Sequence, residues 1–492
     1  MFNHLKGDFT ARQILAELAG MTANDTTNSL TTRIIFGKEK HPQLVYTDLA
    51  TGERTDHTFV TDVIQAFPGY EFKDGKNMYR GTDLGLGGYV YAEPGMYSNV
   101  ALLDIASLHP HSIIAMNCFG EYTQHFKDIL DARIYIKHKE FDKARSMLGG
   151  KLAPYLDDES TAKDLAQALK IAINSVYGLT AANFPNPFRD IRNKNNIVAL
   201  RGALFMRTLQ DEVTQRGFKV AHIKTDSIKI PDATPEIIDF CMKFAKDYGY
   251  TFEHEATYEK MCLVNDAVYI AKYKDGEHAG EWTATGTQFA VPYVFKKLFS
   301  KEPIEFEDMC ETKSVSTSLY LSSAENTVDV EQPKPEDLTF IGKVGLFCPI
   351  KPDCGGKELL REGKDKEGNI KYSSATGAKG YKWLEAEMVK ALGKENDIDK
   401  SYYDKLVDDA VDNISQYGDF EWFISDDACK KGCDYEEMLM SLPWKTSCGK
   451  NSCFGCPSFH DDPFNVHCSD GYDISDVAYL IEHEETTPFD VR

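Results

Sequence analysis

Apolar and polar positions along the 492-residue chain change period several times, and each change predicts an element. Near Ala11–Ala19 the apolar residues recur at helical spacing, within an otherwise polar and mixed stretch covering 1–80. A glycine-rich joint follows, GTDLGLGGYVYAEPG (81–95). Glycine there supplies backbone freedom between units, and by itself it is weak evidence for phosphate binding. Val100–Leu103 is a short continuous apolar run that predicts a buried strand, closed by a carboxylate, Asp104. Residues 121–180 read as helices. The stretch TQRGFKVAHIKTDSIKIPD (214–232) alternates like strands and carries Asp226 at a turn between VAHIK and SIKI. Pro and Gly throughout 300–375 predict loops. Two helices follow, one with the stripe Leu384, Met388 and Leu392, the other with Tyr403, Leu406, Ala410 and Ile414. No internal repeat or low-complexity tract is present.

Chemistry concentrates in the middle of the chain. In LAQALKIAINSVYG, residues Lys170, Asn174 and Tyr177 are spaced i, i+4, i+7 and share a helix face, while Leu165, Leu169 and Val176 fall elsewhere and can be buried. A cation, an amide and an aromatic ring on one face offer a phosphate contact, a polar contact and a stacking surface; the bland alternative is an amphipathic helix with a solvated lysine. Arg133 and Lys137, i, i+4 on a helix beginning near Asp128, either face water or clamp a triphosphate. A strand-end aspartate is usually a cap or turn residue. Asp104 and Asp226, flanking a cationic helix, point instead to shared divalent metal. Mg2+ takes oxygen ligands and needs only one or two carboxylates plus substrate phosphates, and two ions about 3.5–4 Å apart activate an attacking oxygen and stabilise the leaving one.

Composition narrows the class. Two to four domains are expected at this length. Hydrophobic residues at 42%, charged at 27% and aromatic at 12% describe a soluble globular chain and exclude bulk disorder. No apolar run approaches the ~18 residues of a membrane span, and MFNHLKGDFTARQ has no apolar core of a secretion signal. A cytoplasmic location and no membrane partner are therefore expected. The net charge of −22 argues against nucleic acid when taken alone. It is segregated, however: 170–230 carries ten Lys/Arg against four Asp/Glu, whereas 429–492 carries five against twelve. The middle of the chain can still meet phosphates.

DIASLHP (104–110), followed by Ser112, Ile113 and Ile114, resembles motif A of family B DNA polymerases, D-x-x-S-L-Y-P-S-I-I. KIAINSVYG (170–178) matches their motif B, K-x-x-x-N-S-x-Y-G, and KTDS (224–227) resembles motif C, D-T-D-S. GLGGYV resembles the joint that precedes the palm in phage members. The three motifs stand in the family's order. The resemblance implies an α+β multidomain right hand, with an antiparallel-sheet palm, helical fingers and a thumb. Its parts would be 1–98 (N-terminal region and glycine joint), 99–120 with 180–300 (palm), 121–179 (fingers), 301–428 (thumb) and 429–492 (Cys-rich acidic tail). It implies a template-directed DNA polymerase that adds deoxynucleoside triphosphates to a primer 3′-hydroxyl and releases pyrophosphate, in phage genome replication in the host cytoplasm. Asp104 and Asp226 would be the catalytic carboxylates, holding two Mg2+ (Mn2+ as substitute) with the Ile105 carbonyl. Lys170 and Arg133 would hold the triphosphate, and Asn174, Tyr177, Gly178, Ser107, Leu108 and His109 would line the nucleotide. Primer–template DNA would lie on Gly87, Gly88, Lys224, Thr225, Tyr269 and Lys272.

Three departures stand out. His109 replaces the motif A tyrosine, which in the family stacks under the sugar and excludes a 2′-hydroxyl, so a smaller ring predicts looser sugar selection. Lys224 replaces the first Asp of motif C but leaves Asp226 in place. In LVNDAVYIAKY (263–273), Ala267 stands at the lysine of a primer-gripping K-x-Y, so Lys272 or Lys274 is expected to substitute. The 103 residues before Asp104 carry no F-D-x-E-like motif, which leads to the expectation of a separately encoded 3′–5′ exonuclease and no proofreading by this chain.

Six of the twelve cysteines lie in the last 64 residues. Cys448, Cys453, Cys456 and Cys468, with Cys429, Cys433, His460 and His467 nearby, have enough N/S donors for a tetrahedral Zn2+; idle reduced thiols are the alternative. A Cys348–Cys354 pairing is a further expectation. Competing readings of the whole are a repair or ribonucleotide-tolerant polymerase, and a catalytically silent DNA-binding scaffold.

Overall fold

The computed structural model describes residues 2–38, 63, 65–182, 184, 186–188, 196–323 and 333–426, with side chains from Phe9 onward. Helices α1 (Phe2–Ala19) and α2 (Thr27–Phe36) open the chain, and Thr26 caps α2 by accepting from the Ser29 N–H at 3.2 Å. Strands β1 (Glu71–Lys73), β2 (Lys76–Tyr79) and β3 (Thr82–Asp83) form a small antiparallel sheet. After β4 (Val90–Ala92), the long β5 (Gly95–Ile105) runs into α3 (Leu108–Ala115). Helices α4 (Thr123–Lys137) and α5 (Glu159–Thr180) follow, then α6 (Ile197–Gln215). The Asp158 carboxylate starts α5 by accepting from the Thr161 N–H at 2.9 Å.

The chain then makes the hairpin β6 (His222–Lys224) and β7 (Ser227–Pro231), helix α7 (Pro235–Asp247), and strands β8 (Phe252–Asn265), β9 (Val268–Tyr273) and β10 (Trp282–Thr285). With β4 and β5 these make a seven-stranded sheet of order β10-β9-β8-β5-β7-β6-β4, its neighbours antiparallel. Period-two alternation gives it two faces. Leu103, Ile105, Ile223, Ile228 and Ile230 turn into a core shared with Leu108, Phe205, Ile237 and Cys241 of the helices. Val100 and Leu102 turn the other way, towards Tyr258, Met261 and Tyr269, and Asp104 shares that second face.

A second antiparallel sheet, β14-β13-β11-β12-β15, is built from β11 (Glu311–Ser322), β12 (Leu338–Ile350), β13 (Glu358–Lys364), β14 (Ile370–Ser374) and β15 (Lys382–Glu385). Helices α8 (Ala386–Ala391) and α9 (Lys400–Ser415) follow it. The loops expected over 300–375 are thus largely strands. Pro352, Gly355, Gly356 and Gly368 lie between strands, whereas Gly342, Gly345, Pro349 and Gly363 lie within them, and the strand segments are too polar on their exposed face to read as apolar runs. The stripe Leu384, Met388, Leu392 also fails: Leu384 is in β15, Met388 and Leu392 are exposed, and Ala386 and Val389 face the core instead. The second stripe holds, with Tyr403, Ala410 and Ile414 fully buried and Leu406 packed against the core. The strand reading of 214–232 starts too early, since Thr214 and Gln215 end α6. Cys348 and Cys354 are both free thiols, and the neighbour of Cys348 is Cys310, with Sγ atoms 3.4 Å apart.

Contacts divide the chain into 1–418 and 419–492. Of the latter, the described part is a short helix, Phe420–Ile424, capped by Asp419. The tail cysteines and their expected zinc lie outside the described residues. Among the described residues no helix is long and apolar enough to cross a membrane.

Candidate active site

The two aspartates meet because β5 and β7 pair with Asp104 opposite Ser227, which puts Asp226 just past the end of the same strand pair. The Ile105 N–H donates to the Asp226 carbonyl at 2.8 Å and locks the two strand ends together. Between β6 and β7 the backbone turns through Thr225 at φ 58°, a left-handed conformation that a β-branched residue rarely adopts. The Thr225 N–H donates to the Tyr89 carbonyl at 2.9 Å, tying the turn to the glycine joint. A Cβ on Gly88 would lie 2.5 Å from both Thr225 Cγ2 and Oγ1, so only glycine lets the joint pass this close. Gly87 is exposed and free of such contact.

The carboxylates sit in an acidic field. Burial, then Asp226, Glu255 and Glu253, push the Asp104 carboxyl up to about 7, with Lys229 opposing. Glu253 stands directly across from Asp104 on β8. This negative charge, only partly offset by Lys229 and by the Lys137–Glu253 pair, is what a divalent cation would relieve, and the donors are hard oxygens of the kind Mg2+ takes. Among the described residues no group of three or more His, Cys, Asp or Glu side chains is arranged as a metal cage.

One cleft of about 210 Å³ gathers Ser107, Leu108, His109, Pro110, Arg133, Lys170, Ile173, Asn174 and Asp226. Residues from β5–α3, α4, α5 and the β6–β7 turn, more than a hundred positions apart in the chain, therefore line a single space. Lys170 and Asn174 are exposed on α5, while Leu165, Leu169 and Val176 are buried, as their spacing predicts. Among the described residues neither Lys170 nor Arg133 has a hydrogen-bonding or ion-pair partner. Burial lowers the pKa of Arg133, so an anion entering the cleft would relieve it. Lys137, by contrast, is held by Glu253 at 3.1 Å. Ser107 turns the chain into α3 at φ 59°, and Leu108 seats on Gly202 of α6, where a Cβ would lie 2.8 Å from its Cδ2. His109 stacks on Tyr177 with ring centroids 4.3 Å apart and planes 7° from parallel. The Tyr177 hydroxyl accepts from the Asn196 side-chain amide at 3.2 Å. Gly178 is exposed beside it.

The remaining expected residues spread over the sheet. Lys224 is exposed at the end of β6, in register with Ser227. Tyr269 lies on the Asp104 face of the sheet. Lys272 points to the other side: it is buried, 3.7 Å from Glu259 and near the Trp282 ring. Lys274 donates to Asn99 Oδ1 at 3.0 Å. The cation beside Tyr269 is Lys229, which sequence reasoning missed. It is buried, 3.2 Å from His222 Nδ1 and 4.8 Å from the Tyr269 ring centre. The signal was present in SIKI, where Ser227 and Lys229 alternate with two isoleucines and so share the Asp104 face.

No protein-family profile matches the sequence, and no curated protein does. Among solved structures, the chain is similar to the family B DNA polymerase from the hyperthermophilic archaeon Pyrobaculum calidifontis, with a TM-score of 0.40 and 11% identity over 83% of this chain and 53% of that one. The chain thus spans about half the length of that protein.

Proposed function

We propose that the chain is a template-directed DNA polymerase of the family B type. The observation that carries the reading is the shared cleft: the three motif segments converge on one cavity that has a carboxylate at one part of its lining and, at another, two cations without a partner among the described residues. In this reading 99–120 with 180–300 form a palm, 121–179 fingers and 301–428 a thumb. The phage connection rests on sequence resemblance alone.

Asp104, Asp226 and the Ile105 carbonyl are the oxygens that would hold the divalent pair. Mg2+ bound there supplies the positive charge that activates a primer 3′-hydroxyl and stabilises the oxygen leaving with pyrophosphate. The chain's own residues do the positioning. Lys170 and Arg133 neutralise the triphosphate and hold it in line for attack at the α-phosphate. The His109–Tyr177 stack walls the cleft with a rigid aromatic surface, and Asn174 offers a polar contact on the same helix face. The Ile105–Asp226 hydrogen bond keeps the carboxylates in place without the ligand, so less reorganisation is required when it binds. Burial, with three neighbouring carboxylates behind it, raises Asp104, an arrangement that costs stability unless a proton or a cation is taken up and for which a silent scaffold would have no use.

Primed template, Mg2+ and deoxynucleoside triphosphates test the reading. The parent chain extends the primer, and Asp104→Asn or Asp226→Asn lowers extension by at least ~10³-fold with DNA binding retained. Extension by either variant within tenfold of the parent would falsify the site.

A further inference from the structure

We propose that Cys310 and Cys348 form a reversible disulfide when the chain meets a peroxide, with Cys310 reacting first and Cys348 resolving it. Neither residue lines the cleft, so the pair's chemistry is independent of the polymerase reading. Strand register sets the pair. Glu311 stands opposite Phe347 in the β11–β12 ladder, and Cys310 continues β11 in an extended conformation at φ −118° and ψ 127°. Cys310 therefore falls across from Cys348, and the two Sγ atoms are 3.4 Å apart. Opposed residues of an antiparallel pair have Cα atoms about 4.5 or 5.5 Å apart. Disulfides take Cα separations of about 4.4–6.8 Å, so the strands need not move. Bringing the sulfurs to a bond of about 2.05 Å takes about 1.4 Å of travel, which side-chain rotation supplies.

The two thiols differ in access and in hydrogen bonding. Cys348 is fully buried in a core with Phe347, Trp383 and Tyr403, whereas Cys310 lies at the margin of that core and is partly exposed. The Cys310 thiol donates to the Phe306 carbonyl at 3.3 Å, so the hydrogen between the sulfurs belongs to Cys348. Burial raises both thiols above their usual range, while the hydrogen bond from Cys348 and the Lys390 ammonium pull Cys310 back. Cys310 is thus both the reachable thiol and the readier thiolate. Its thiolate attacks one peroxide oxygen: the S–O bond forms, the O–O bond breaks, and the departing hydroxide takes a proton to become water. The Cys348 sulfur then attacks the sulfenic sulfur of Cys310. The S–S bond forms, the S–O bond breaks, and the second hydroxide leaves as water with the Cys348 proton. Two thiols lose two electrons in all, and one peroxide becomes two waters.

The test exposes the full chain to a few equivalents of hydrogen peroxide at about pH 8, where thiolate is more abundant. Remaining thiols are blocked with iodoacetamide and the peptides are mapped without reductant. The expected product is a peptide pair joined through Cys310 and Cys348, two hydrogens lighter than its parts, which dithiothreitol separates. Most chains should carry it at an exposure that leaves the buried Cys241 and Cys262 unmodified. Cys348→Ser should leave Cys310 as a sulfenic acid, with dimedone capture several-fold above the parent. Cys310→Ser should leave Cys348 unmodified. The parent's map needs neither variant to fold. Cys310 and Cys348 still free after overnight exposure to excess peroxide overturn the proposal. So does a bond from either one to Cys354 or to a tail cysteine in place of the pair, or a Cys310 carried past the sulfenic stage with Cys348 still free.

Discussion

At the residue scale, the site depends on a close approach that tolerates no extra atom. Gly88 and Thr225 pack so tightly that Gly88→Ala must push the β6–β7 turn, and with it Asp226, out of place. Primer extension is expected to fall on the order of 10–100-fold, because misplacement of a reacting group by about 1 Å costs that much. Thr225→Gly removes the clashing atoms and suits the left-handed turn. The double variant should therefore recover part of the lost rate, measured against both single variants in a cycle. An unchanged rate in Gly88→Ala would show that the joint does not brace the turn. Asp104 gives a second prediction. Its pKa, raised to about 7 from 3.8, means the folded metal-free chain binds a proton more tightly than the unfolded chain does. Its contribution is present below pH 4 and is lost as pH rises through 7. Metal-free melting temperatures should therefore decline between pH 5 and 8 by an amount worth on the order of 1–2 kcal/mol, after allowing for solvent screening of a half-buried group. Asp104→Asn should flatten that decline. Mg2+ at pH 8 should raise the melting temperature of the parent but not of the variant.

At the element scale, Lys229 shows how one strand position can tune a site. Its ammonium lies between His222 and the Tyr269 ring and opposes the upward push on Asp104, while burial lowers its own pKa to about 8. Lys229→Met keeps the length of the side chain and removes a costly buried charge, so the fold should hold or gain stability at neutral pH. The Asp104 carboxyl should rise further, moving the acid limb of the kcat–pH profile up by roughly 0.5–1 unit. An acid limb that stays in place would mean that Lys229 acts on packing alone. The same strand shows what was legible in the sequence. Continuous or alternating apolar runs with carboxylates at their ends, as in β5 and β7, gave both the strands and the aspartates. The apolar stripe of α5 likewise fixed which face carries Lys170 and Asn174. Sheet β11–β15 was not legible, because one of its faces is exposed and its strands are interrupted by turns rich in glycine and proline. Pairing partners distant in sequence were not legible either. The stack of His109 on Tyr177 and the contact of Gly88 with Thr225 both depend on how the elements close, which no local period encodes.

At the scale of the whole molecule, the proposed function would have a chain of net charge −22 hold a polyanion, so charge placement must do what net charge cannot. The cations that line or border the cleft without a partner among the described residues are Lys170, Arg133 and Lys224. Each phosphate neutralised on duplex DNA releases a counterion and contributes a slope of about −0.9 in log affinity against log salt. Phosphate contacts so few predict a shallow salt dependence, of about −2 to −4, and modest affinity. The acidic remainder then acts as a long-range opponent, and residues 429–492 contribute −7 of the total. Its effect is governed by the Debye length, which is about 10 Å at 0.1 M salt and about 3 Å at 1 M. A chain ended after residue 428 should therefore bind primer–template several-fold more tightly than the full chain at 50 mM salt. The two should converge as salt approaches 1 M, and the truncated chain should show the steeper slope. Anisotropy titrations of a labelled primer–template at four salt concentrations measure both quantities. Tighter binding that persists unchanged at high salt would mean that the tail blocks the DNA surface by contact. Weaker binding by the truncated chain would mean that the tail itself contributes to holding DNA, contrary to its charge.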